Sequence, residues 1–139
     1  MMQLFMLDTN AVSEIMKGNS IMDARVLQLD AAEWCISAIT HSEICFGLAL
    51  RSGATKLARA ADAFFDIATT KPWDASAAKT HGVLRARLRQ AGTPIGDFDE
   101  MIAAHALSLN AVLVTANTRH FERIGGLAIE NWVRQGASG

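Results

Sequence analysis

Cysteine is nearly missing from this chain. Its two thiols, Cys35 and Cys45, are too few and too far apart for a disulfide framework or a C-x-x-C pair, and each lies in or beside an apolar stretch, where a buried, reduced thiol is expected. Long apolar runs are missing too. No stretch reaches the roughly 18 uncharged apolar residues of a membrane span. The opening MMQLFMLD has no basic region ahead of its short apolar run, so no signal peptide is expected. Proline occurs only as Pro72 and Pro94, singly in short connections, and no repeat, low-complexity tract or linker interrupts the chain. Nor does one sign of charge prevail: Lys+Arg 13 against Asp+Glu 14, a net -1, excludes a strongly basic nucleic-acid coat but leaves room for a local basic patch. What is present is globular composition, 50% hydrophobic and 19% charged over 139 residues. A chain of this length buries about 68–70% of its unfolded surface, so one domain spanning residues 1–139, soluble and cytoplasmic, is expected.

Apolar patterning alternates between short runs and helical spacing. Strands are expected at residues 3–7, 33–37, 111–115 and 127–131, with a weak one at 68–71. Helices are expected at 11–17, 22–29, 40–51, 54–66, from an Asp74 cap to residue 90, and at 97–109. Gly18, Gly92 and Asn110 supply stops. Strands alternating with helices imply an α/β fold: a three-layer α/β/α sandwich with a mostly parallel central sheet.

Ligands of such sheets bind beyond the carboxyl ends of the strands. Asp8 directly follows the first strand, Glu43 lies in the first turn after the second, and Asn117 follows the late strand. Asp99 sits in the first turn of the helix leading into that strand. If Asp8, Glu43 and Asp99 converge, either some are protonated or a hard divalent cation, Mg²⁺ or Mn²⁺, neutralises them, and such a site can activate water against a phosphodiester. Local readings stand beside this one. Thr40 and Glu43 fit a capping box, as do Asp97 and Glu100; Asp8-Thr9-Asn10 fits a turn and N-cap; Asn117-Thr118 is ordinary turn chemistry. There is no G-x-S-x-G, P-loop, G-x-G-x-x-G or H-E-x-x-H. His41, His81, His105 and His120 lack metal-ligand spacing; His105 reads as a core residue and His120 as surface. Trp34, Trp73 and Trp132 read as core or interface, and Lys79, Arg85, Arg87 and Arg89 as a solvated helix face.

Four segments in order carry a resemblance that covers essentially the whole chain: LDTN at 7–10, SAITHSE at 37–43, PIGDFDEMIAAHAL at 94–107 and VTANTRHFERIGGLAIENW at 114–132. Together they resemble the PIN-domain ribonucleases, more narrowly the VapC toxins of bacterial toxin–antitoxin pairs. By position, the resemblance makes Asp8, Glu43 and Asp99 the catalytic acids, with Asp8 and Asp99 as metal ligands for Mg²⁺ (or Mn²⁺). The family's fourth polar position falls on Asn117, where many members carry Asp. Thr9 and Thr115 would support through their hydroxyls, and Arg119, Arg123 and the helix over 79–89 would form an RNA-binding rim. The resemblance implies a metal-dependent endoribonuclease acting on tRNA, with the initiator tRNA anticodon region as the expected target. It further implies a homodimer silenced by a VapB-type antitoxin that itself binds operator DNA. Two rivals are weaker. A haloacid-dehalogenase-like phosphatase wants Asp-x-Asp where Asp8-Thr9-Asn10 stands, and a non-catalytic PIN-like binding module has no need of three acids.

Overall fold

The structure, a computed structural model, describes residues 2–133. Its elements are β1 (Phe5–Leu7), α1 (Thr9–Met16), α2 (Ser20–Leu27), a short 3₁₀ turn (Ala31–Glu33), β2 (Trp34–Ser37), α3 (Ala38–Leu50), α4 (Thr55–Ile67), β3 (Thr70–Lys71), α5 (Ala75–Gln90), α6 (Asp97–Ser108), β4 (Val112–Val114), α7 (Thr118–Phe121) and β5 (Ile129–Glu130). The five strands pair in the order β3-β2-β1-β4-β5, every pairing parallel. This is the expected α/β sandwich. Among the described residues no helix is long and apolar enough to cross a membrane.

The strand sequences explain the layering. Side chains alternate between the two faces of a strand, and both faces here are covered, so the central strands are apolar throughout. Met6 stands in register with Cys35 and Leu113, and all three enter one core with Leu84 and Leu88 of α5 and Ile102 and Ala106 of α6. The next residue along each strand, Leu7, Ile36 and Val114, enters the opposite core with Val12, Met22, Ile44 and Phe64. β1 lies at the centre of the sheet, so the residue that follows it emerges at the middle of the sheet's carboxyl edge.

The structure corrects several local expectations. Helix α3 starts at Ala38, capped by Ser37, whose hydroxyl accepts from the Ile39 N–H at 3.0 Å; Thr40 is therefore not a cap but lies fully buried inside the helix. Glu43 accordingly falls on the second turn. Helix α6 is preceded by Gly96 rather than capped by Asp97, and Glu100 reaches back to accept from the Ile95 N–H at 3.1 Å. Cys45 is exposed, whereas Cys35 is buried as expected. The basic residues of α5, Lys79, Arg85, Arg87 and Arg89, are all exposed, and α7 is a short helix with no counterpart in the sequence reading.

Gly96 has φ +107 and ψ 146, a region open essentially to glycine, and a Cβ added there would meet nothing within 4 Å. Gly96→Ala is expected to lower stability by about 1–3 kcal/mol through backbone strain alone. Gly82, exposed in the interior of α5 and equally unobstructed, should show the reverse sign: Gly82→Ala is expected to raise stability by about 0.5–1 kcal/mol. Urea unfolding of the two variants measures both.

Candidate active site

Asp8 is the hinge between β1 and α1. Its backbone N–H still belongs to the sheet, donating to the Val114 carbonyl at 2.9 Å, while its side chain already belongs to the helix, accepting from the Ala11 N–H at 2.8 Å. The capping role read from the local sequence is thus real. It does not exhaust the residue, because a cap normally sits in water and Asp8 is only 3% exposed. Burial pushes its carboxyl up from 3.8 to about 6, against the opposing hydrogen bonds of the Thr115 hydroxyl and the Ala11 N–H. The negative charges of Asp99 and Glu43 push it the same way. Such an effect is short-ranged, so Asp99 and Glu43, from distant parts of the chain, lie within electrostatic reach of Asp8.

Neighbouring elements deliver the other two. Glu43 projects from the second turn of α3, where its Oε1 accepts the Thr9 hydroxyl at 2.6 Å; that hydroxyl lies 3.3 Å from the buried Thr40 hydroxyl. Asp99 stands in the first turn of α6, and burial raises its pKa while the neighbouring His120 lowers it. His120 Nδ1 is 3.6 Å from the Asp99 carboxylate and 2.8 Å from the Asn117 side-chain nitrogen. Thr115, fully buried at the end of β4, accepts from the Asn117 N–H at 2.9 Å while its hydroxyl bonds Asp8. Asn117 therefore reaches the acids through Thr115 and His120 rather than by a bond of its own to Asp8. Asp97, Arg119 and Arg123 are exposed, and among the described residues none of them makes an ion pair.

Sequence reasoning put His120 nearer the site but on the surface and gave it no role; the structure sets its partly exposed ring beside Asp99 and Asn117. The available signal was its spacing from Asn117, three residues on a helical turn, which puts both side chains on one face. His105 is a core residue as expected, and Trp34 and Trp132 are buried.

Two open recesses border α1, one of them reaching Glu43. One, of about 260 Å³, is walled by Thr9, Ser13, Glu43, Gly47, Leu48 and Arg51. The other, of about 330 Å³, is walled by Asn10, Ser13, Glu14, Lys17 and Asn117. Among the described residues no group of three or more His, Cys, Asp or Glu side chains is placed to hold a metal ion. Mg²⁺ does not require one, since it keeps several waters and takes one or two carboxylates from the protein. Asp8 and Asp99 fit that demand: both are oxygen donors, and burial makes both reluctant to carry charge without a counter-ion.

The raised pKa of Asp8 makes stability depend on pH. Folding favours the protonated carboxyl, so this contribution is complete below pH 3.8 and is lost as pH rises through about 6. Asp8→Asn keeps an oxygen for the Ala11 N–H but cannot ionise. In metal-free protein it is expected to exceed the wild type by on the order of 2–3 kcal/mol above pH 7, with the difference closing towards pH 4. Millimolar Mg²⁺ should stabilise the wild type and leave Asp8→Asn unchanged. Urea unfolding across this pH range, with Mg²⁺ or EDTA, reads both; equal stabilisation of the two proteins by Mg²⁺ would remove Asp8 from the ligand set.

Comparison with known proteins agrees with this geometry. Residues 5–127 match the PIN domain family. The tRNA(fMet)-specific endonuclease VapC of Shigella flexneri is 37% identical over 128 residues, which is 92% of this chain and 97% of that protein. Ribonuclease VapC2 of Haemophilus influenzae is 33% identical over 129 residues, 93% of this chain and 98% of that one. Among solved structures, DNA-bound VapBC from Salmonella typhimurium superposes with a TM-score of 0.87 at 37% identity, over 94% of this chain and 99% of that chain. VapBC2 from Rickettsia felis, bound to a DNA fragment from its promoter, gives 0.86 at 31% identity, over 94% and 99%.

Proposed function

The chain belongs to the PIN-domain family and, within it, to the VapC ribonucleases; on that premise we propose that it is a Mg²⁺-dependent endoribonuclease toxin that cuts tRNA and is silenced by a VapB-type antitoxin. The observation that carries this reading is the buried Asp8 at the carboxyl edge of the sheet, with Asp99 and Glu43 within electrostatic reach of it. PIN ribonucleases are metal-dependent in general. Here Asp8 and Asp99 would hold the cation, with Mn²⁺ as a substitute. When bound, the cation offsets the charge that develops on the phosphodiester and lowers the pKa of an adjacent water.

The remaining roles fall to the protein. Glu43, its Oε1 held by the Thr9 hydroxyl, keeps its other oxygen to accept a proton from the attacking water. Thr115 holds Asp8 in place and fixes the turn that carries Asn117, whose amide orients groups at the edge of the site. Arg119 and Arg123, exposed on and just beyond α7, bind RNA phosphates next to the acids. A net charge of -1 leaves this local rim to supply the electrostatics of binding.

Substrate and partners rest on the relatives. Two of them, from Shigella flexneri and Salmonella typhimurium, are named as tRNA(fMet)-specific endonucleases at 37% identity, which supports initiator tRNA as substrate; the anticodon region as the place of cleavage is part of the proposal. The neighbouring VapBC complexes support a VapB-type antitoxin, through which alone operator DNA is contacted. The cleft beside Glu43, apolar along Met16, Leu48 and Leu57 with Lys17 and Arg51 on its wall, suits the antitoxin's tail. The protein works in the bacterial cytoplasm, where tRNA is, as a homodimer.

Purified protein is expected to give discrete cuts in total tRNA and in initiator tRNA with Mg²⁺ or Mn²⁺ and none with EDTA, and Asp99→Asn should lower the rate by on the order of 10²-fold or more. Intact RNA under every condition, with metal present, would overturn the nuclease reading and return the phosphatase and binding-module readings to the front. Cuts confined to other RNAs would overturn the tRNA assignment alone.

A further inference from the structure

Asp8 is fixed by the sheet, but Glu43 and Asp99 ride on two different helices, and neither helix is covalently close to the other. Something must set their separation. Ser37 and His105, both essentially inaccessible at 0% and 1%, join those helices directly. The Ser37 hydroxyl caps α3 by accepting from the Ile39 N–H at 3.0 Å, and it lies 2.7 Å from His105 Nδ1 on α6. The ring also hydrogen-bonds the backbone of Pro72. Because Nδ1 is the nitrogen that faces Ser37, Nε2–H is assigned as the donor to that backbone, which makes Nδ1 the acceptor and Ser37 O–H the donor. Every polar atom of the pair is then satisfied. Trp73 packs edge-on against the ring, with centroids 5.4 Å apart, and holds its plane.

We propose that His105 is a positioning residue for the cleavage reaction: its bond to Ser37 ties α6, which carries Asp99, to the capped start of α3, which carries Glu43, and so fixes the spacing of the two acids around Asp8. This rests on the nuclease reading above and deepens it. The local geometry is a rigid one. Ser37 ends β2, so the tie is anchored to the sheet at the same edge from which Asp8 emerges. A buried hydrogen bond left without its partner costs more than the bond itself contributes, so the pair resists drifting apart.

Two substitutions separate this role from core filling, because Asn places its side-chain oxygen where Nδ1 stands and Gln places its nitrogen where Nε2 stands. His105→Asn keeps the acceptor for Ser37 and gives up the donor to Pro72; His105→Gln does the converse. On initiator tRNA, His105→Gln is expected to lose roughly ten- to a hundredfold in kcat with KM little changed, while His105→Asn retains most of it. Ser37→Ala should resemble His105→Gln, and Ser37→Thr the wild type. Equal losses in the two His105 variants, or a change confined to KM, would overturn the proposal. Carboxyl ¹³C shifts of Glu43 and Asp99 in the metal-free protein give a readout independent of cleavage. They should move in His105→Gln and hold in His105→Asn. Should the wild type cut no RNA, the function fails on that result, while the shifts still decide the tie: unmoved shifts in His105→Gln refute it.

Discussion

An ionisable group stands where water scarcely reaches, and the rest of the site follows from that. Asp8 is 3% exposed at the end of the central strand, and its carboxyl is pushed up to about 6. The protein supplies two hydrogen bonds to the carboxylate, from the Ala11 N–H and the Thr115 hydroxyl, and these only partly offset burial. It then brings two more acids within electrostatic reach. An arrangement of this kind lowers the stability of the isolated fold and is retained where function needs it. A divalent cation resolves the conflict, because it makes the ionised form of each carboxyl the favourable one.

The fold answers the same constraint geometrically. A parallel sheet covered on both sides gives its central strand two apolar faces, so polar groups can emerge only at its ends. Asp8 and Thr115 leave the carboxyl ends of adjacent strands β1 and β4, which brings them together through strand register, with Leu7 opposite Val114. The helices then contribute what the sheet cannot. Glu43 comes from α3 and Asp99 from α6, and the buried Ser37–His105 bond joins the start of α3 to the last turn of α6. The outer edge is looser: His120 and Asn117 lie on the short α7 segment, beside the exposed arginines.

Much of this was legible in the chain. Apolar runs located the three central strands most plainly, because a doubly covered strand is apolar in any context; the edge strands β3 (Thr70–Lys71) and β5 (Ile129–Glu130) carry a weaker signal. Asp8 stood out for a related reason, an acid directly on the end of such a run. The caps were less legible. Thr40 and Asp97 have the chemistry of caps, but Ser37 and Gly96 start the helices, because β2 ends at Ser37 and a glycine-only backbone turn precedes α6. Local side-chain chemistry names candidate caps, and the path of the backbone chooses among them. The partners of His120, Asp99 and Asn117, were not legible because they are read only when α7 is known to be helical.

From sequence alone came the fold class, the ordered segments that resemble PIN-domain ribonucleases, and the identity of the three acids. All of these depend on residue type and on spacing along the chain. The tertiary structure alone decided that Asp8 is both a helix cap and a buried acid, that Glu43 is held by Thr9, that His120 borders Asp99, and that Ser37 and His105 couple the two helices. These are relations between residues as many as 68 positions apart. Burial and through-space charge depend on what packs around a group, which no local pattern of residues encodes.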